Sequence, residues 1–96
     1  MTFAEEVTEI TTGLSTTLIE KNKAYGDSAL NPARIFSNAS PMEQIRVRID
    51  DKLSRIQRGS EYPGDDTIAD LAGYLILLLI ARNREREEID GRERTF

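Results

Sequence analysis

The chain has 96 residues, 39% of them apolar and 31% charged, with a formal net charge of −4. That length allows one small domain with a thin core, and the composition is that of a globular chain rather than a disordered one. A net negative charge argues against a nucleic-acid polymer as partner, because that affinity rests on Lys and Arg neutralising phosphates, yet it leaves room for a small phosphate ligand held by a few Arg.

The first predicted element is a helix over about 3–22. Phe3, Val7, Ile10, Leu14 and Leu18 form one stripe at helical spacing. Glu5 and Glu6 lie in its first turn and Lys21 and Lys23 near its end, which suits the helix dipole. Its middle, "TTGLSTT", is a weak helix former, and Gly13 costs about 1 kcal/mol against Ala. Small residues there could let another backbone approach.

Residues 23–39 read as a long ordered loop between helices 1 and 2. Connections of that length in a compact domain are usually functional or disordered. This one carries Lys23, Tyr25, Asp27, Asn31 and Arg34, with Lys21 just before it. Gly26 allows a sharp turn after Tyr25. Tyr can stack on a base, and Lys and Arg can hold phosphates. Ile35 and Phe36 are expected to anchor the loop to the helices.

The second helix is expected over about 41–58. Ser40-Pro41-Met42-Glu43 offers an N-cap, a favoured first residue and the acid of a capping box, and Arg58-Gly59 marks the end. Met42, Ile45, Ile49, Leu53 and Ile56 make the apolar stripe. Arg46 and Asp50 flank it on one side, spaced for an ion pair. Arg48, Lys52 and Arg55 flank it on the other, a basic shoulder that either a bound anion or Asp51 would relieve.

"GSEYPGDD" reads as a turn whose Asp65 or Asp66 caps a third helix over about 66–88. Its run "LAGYLILLLIA" is apolar on nearly every side, and such a helix must be covered on every side. Two other helices of the same chain cannot do this, so a homo-oligomeric helical bundle is expected. The run is eleven residues, well short of a membrane span. The start "MTFAEEV" has no secretory signature, so a cytoplasmic protein is expected, with no membrane partner. The charged end "RNREREEIDGRERTF" should carry the helix out into solvent and then fray.

The absence of Cys and His removes disulfides, thiolate and imidazole catalysis and the usual zinc sites. Any catalysis would use carboxylates with a hard cation held by oxygen. Asp66 and Asp70 share one side of helix 3. Asp70 is the only charge between Thr67 and Arg82, so it needs a cationic partner, either an Arg of helix 2 or a metal.

Taken together, "KNKAYGDSALNPARIFS", "IRVRIDDKLSRI" and "DDTIADLAGYLILL" resemble short phage-encoded all-α proteins. Those are in turn similar to the MazG-like and nucleotide-modification-associated families. The resemblance covers about residues 20 to 82. It implies a dimeric or tetrameric bundle that binds nucleotides in a subunit-spanning cleft. Active MazG-like enzymes hold Mg²⁺ with E-x-x-E on one helix and E-x-x-D on the next, and release pyrophosphate from nucleoside triphosphates. This chain departs from that pattern: helix 2 offers Glu43, Asp50 and Asp51, and helix 3 offers Asp66 and Asp70 four residues apart.

Three readings are open at this point. The first is a nucleotide-binding oligomer that sequesters a cyclic or ADP-ribose-like signal without turnover, an anti-defence role in the phage setting that the resemblance implies. Its ligand would meet Lys21, Lys23, Tyr25, Asp27, Asn31 and Arg34 of the loop and Arg48, Lys52 and Arg55 of helix 2, with no cofactor. The second is a Mg²⁺-dependent pyrophosphohydrolase with Asp50, Asp66 and Asp70 as metal ligands. The third is a helical assembly protein with no small ligand.

Overall fold

The computed structural model describes residues 1–59 and 61–90. The described residues form three helices and no strand: α1 (Phe3–Ala24), α2 (Pro41–Arg58) and α3 (Thr67–Asp90). The protein is all-α.

Each helix begins where a local signal tells it to. Thr2 and Glu5 close a reciprocal capping box at the start of α1. The Thr2 N–H donates to Glu5 Oε1 at 3.1 Å, and the Glu5 N–H donates to Thr2 Oγ1 at 3.1 Å. The bond from the Thr2 backbone, with the Thr2 hydroxyl second, holds the Glu5 carboxyl below its ordinary range. The threonines inside α1 turn their hydroxyls back onto it: Thr8 donates to the Ala4 carbonyl and Thr11 to that of Val7, at 2.9 and 2.8 Å.

The expected end of α1 near Asn22 moves to Ala24. Tyr25 caps it, Gly26 takes the left-handed conformation at φ 63, and the Asp27 N–H reaches back to the Asn22 carbonyl at 3.0 Å. Asp27 is itself left-handed, at φ 62. Asp tolerates this conformation because its short side chain can bond locally, and here it accepts from the Asn31 amide. Turns continue through residue 30, and residues 31–40 complete the connection.

Ser40 caps α2, its hydroxyl accepting the Glu43 N–H at 3.2 Å, with Pro41 first in the helix and left-handed Gly59 closing it. The capping box is only half formed, because Glu43 turns its carboxylate to Arg46 instead of back to the cap. For α3 the cap is Asp66, which accepts the Ala69 N–H at 3.0 Å. Glu61 adds a second acceptor, for the Thr67 N–H at 2.7 Å.

Packing is uneven. α2 lies along α3, whereas α1 touches α3 alone, near Gly73, where Leu18 Cδ2 stands 3.5 Å from the position a Cβ would take. Among the described residues only Ile45 and Ala81 are buried apolar side chains, and no residue of α1 is buried. Much of α3 is half-buried, with Ile68 and Leu75 exposed. The radius of gyration is 15.1 Å, against about 13 Å for a compact domain of this length. The protomer is open rather than closed around a core.

One expectation is corrected here. Ile35 and Phe36 do not anchor the loop: both are exposed, Phe36 at 104% of its reference area. The chain turns at left-handed Arg34, just before them. Phe36→Ser is therefore expected to move the melting midpoint by the equivalent of no more than about 0.5 kcal/mol. A larger loss in thermal denaturation would place Phe36 against something in solution. The charged end carries α3 on to Asp90. Its last part, residues 91–96, lies outside the described residues. No helix among the described residues is long and apolar enough to cross a membrane.

Candidate functional site

The polar residues the fold brings together lie along one edge of the α2–α3 pair. Ile45 is buried between these helices at 1% exposure, and its burial turns the basic shoulder of α2 toward the first turns of α3. Lys52 Nζ meets Asp70 Oδ2 at 3.4 Å, with the lysine side chain 12% exposed and the aspartate 31%. Asp70 thus has its cation from helix 2, a Lys rather than an Arg. Four residues before Lys52, the Arg48 guanidinium stands 6.0 Å from the Tyr74 ring centroid, at the limit of a cation–π contact.

Three residues after Lys52, Arg55 holds two carboxylates. Its Nη2 is 3.2 Å from Asp51 Oδ2, one turn earlier on α2, and its Nη1 is 3.5 Å from Asp65 Oδ2. The second contact ties the turn carrying exposed Tyr62 to the end of α2; within that turn the Asp65 N–H donates to the Tyr62 carbonyl at 3.0 Å. Two of the three cations, Lys52 and Arg55, therefore face three carboxylates (Asp51, Asp65, Asp70), and the formal charges of the whole edge, Arg48 included, cancel.

Donor capacity decides what the edge can do. An ammonium has three donors and a guanidinium five. Lys52 uses one on Asp70 and Arg55 uses its two Nη groups, so both have donors left. Among the described residues Arg48 has no carboxylate partner at all; its neighbour is an aromatic face. An anion arriving here meets Arg48 first, with Lys52 and Arg55 behind it.

The other candidate residues are placed differently. Lys21, Lys23, Tyr25 and Arg34 are exposed, and no hydrogen bond or ion pair among the described residues joins them to the α2 shoulder. α1, which carries both lysines, does not pack on α2. Asp27 and Asn31 bond to each other and shape the turn. Asp50 is exposed, and Arg46 pairs with Glu43 rather than with it. Asp66 is engaged as a cap and Asp70 with Lys52. Among the described residues no three acidic side chains converge as a metal-binding group.

The sequence reading missed Tyr74 and Glu61. Tyr74 was within reach of it, since it lies one turn after Asp70 on the same side of α3. The role of Glu61 depends on how the 59–66 turn folds back, for which spacing gives no rule.

Compared with family models, curated proteins and solved structures, the chain matches none.

Proposed function

We propose that the protein is a nucleotide-binding homo-oligomer that holds a phosphate-bearing nucleotide without turning it over. The observation that carries this reading is Arg48, a cation with no carboxylate partner among the described residues, set over Tyr74 and followed on the same edge by Lys52 and Arg55. Phosphates would be met by Arg48 and by the remaining donors of Lys52 and Arg55. A base would stack on an exposed ring, either Tyr62 beside Arg55 or Tyr25. In a subunit-spanning site the loop residues Lys21, Lys23, Tyr25 and Arg34 would come from the neighbouring chain, which fits their separation from the shoulder within one protomer.

Binding is favoured over Mg²⁺-dependent hydrolysis because two of the three carboxylates such a mechanism would use already have other roles. Asp66 accepts a backbone N–H and Asp70 faces Lys52. The sequestered ligand of this reading is a cyclic or ADP-ribose-like signal in a phage setting.

The test incubates the protein with nucleoside triphosphates, cyclic nucleotides and ADP-ribose, with and without Mg²⁺, then releases ligand by heat and identifies it by chromatography. Intact ligand supports sequestration. Released pyrophosphate identifies the hydrolase instead, and retention of nothing leaves a helical assembly protein. In a binder, Arg48→Ala is expected to weaken affinity by about 10–100-fold, the size of a charge-assisted hydrogen bond. The melting midpoint should barely move, because Arg48 is exposed and pairs with no carboxylate among the described residues. An Arg48→Ala protein that binds like the parent removes this edge as the phosphate site.

A further inference from the structure

On the opposite edge of the α2–α3 pair lies a groove of about 260 Å³, lined by Met42, Leu75, Leu78 and Leu79, with Arg46 and Arg82 among them. Arg82 is unusual in it. Its Nε and Nη2 are covered by the protomer's own atoms and have no hydrogen-bond partner among the described residues, and no carboxylate among those residues balances its charge. A half-buried guanidinium without a counter-charge is costly, so a carboxylate meeting the part of it that still lines the groove is the complement.

The chain's own α1 cannot supply it. At 3.6 residues per turn, Leu75, Leu78, Leu79 and Arg82 centre about half a turn around α3 from Gly73, where α1 crosses. Yet α1 carries what the groove lacks. Its second half meets α3 at Leu18 and carries half-buried Leu14, while its first half bears Phe3, Val7 and Ile10 uncovered, Phe3 at 82% exposure. At the same helical pitch Glu6 falls on the margin of that stripe, beside Phe3 and Ile10.

We infer that the groove docks a second copy of this chain. The Phe3–Val7–Ile10 face of the second copy's α1 lies over the four apolar side chains, and its Glu6 carboxylate pairs with Arg82 at the part of the guanidinium that lines the groove. Apolar surface without cover and a cation without a partner thereby resolve each other. Because the acceptor and the donor face are both on every copy, the contact can be exchanged mutually across a two-fold axis. The inference rests on the homo-oligomeric part of the reading above and not on its ligand.

Sedimentation of the full chain over a concentration series tests it, with far-UV circular dichroism on every sample. The parent is expected to assemble at about 100 µM, where any micromolar dimer is formed. Phe3→Glu, Glu6→Arg and Arg82→Glu should each raise the dissociation constant by about tenfold or more, and Glu6→Arg with Arg82→Glu should restore it. Phe3 and Glu6 are exposed in the protomer, so their variants keep its helicity and decide the matter even where Arg82→Glu unfolds. A monomeric parent, an assembled Phe3→Glu variant, or a folded double variant that stays apart overturns the inference. Nucleotide retention is scored on the same samples. A parent that assembles through this contact but retains no nucleotide removes the ligand reading and supports the interface.

Discussion

Asp70→Asn is expected to lower the unfolding free energy by about 2–3 kcal/mol. Its partner Lys52 is 12% exposed and sits 3.4 Å from it, so the substitution leaves an ammonium in the α2–α3 seam with a neutral amide in front of it. Removing one member of a fully buried pair costs about 3–5 kcal/mol. The lower figure applies here because Asp70 is 31% exposed and the long lysine stem can carry its head toward water. Lys52→Met separates charge from packing: it keeps the stem, removes the cation and strands the carboxylate. The double variant Lys52→Met with Asp70→Asn should recover most of the loss, as replaced ion pairs commonly do. Urea unfolding of the four proteins gives the coupling. If Asp70→Asn alone is as stable as the parent, the pair is an incidental surface contact.

Ile45→Ala should cost more, about 3–4 kcal/mol, since truncation at a fully buried position adds a cavity to the lost transfer energy. Ile45 is 1% exposed, and Ala81 is the only other buried apolar side chain among the described residues. Little else in one protomer can take over its role. Against a total stability of about 5–15 kcal/mol for an ordinary domain, and less for a small open one, that loss puts the variant near its unfolding threshold. Ile56→Ala, on the same stripe but 44% exposed, should cost well under half as much. Equal losses for the two in denaturant melts would mean that Ile56 is covered in solution by something outside the protomer.

What could be read in the sequence was what is decided within a few residues. Ser40, Pro41, Gly59 and Asp66 act locally, and each marks a helix end where its chemistry says it should. The same holds for the basic shoulder, because Arg48, Lys52 and Arg55 share one side of α2 whatever α2 packs against. Relations between elements were less legible. Periodicity made the α1 stripe recognisable as helical but not as uncovered, since it fixes which residues share a face and not what meets that face. Apolar identity alone suggested that Ile35 and Phe36 were anchors, and both are exposed. The partner of Asp70 depends on how α2 and α3 are rotated against each other; Lys52 and an Arg one turn away are equally plausible from spacing alone. Tyr74 was overlooked beneath the apolar run that contains it.

The attachment of α1 at one end has a consequence for amide exchange with solvent deuterium. Its first half is held by a capping box and its own ladder, with no buried side chain to join its opening to the unfolding of the α2–α3 pair. Such a segment opens by helix–coil fluctuation, so its amides exchange through openings that cost much less than global unfolding. The amides around Ile45 should exchange only when the pair separates. In the isolated protomer the exchange map thus splits α1 between its two halves, and the boundary falls near Leu14, the first α1 side chain on the stripe to be half-buried.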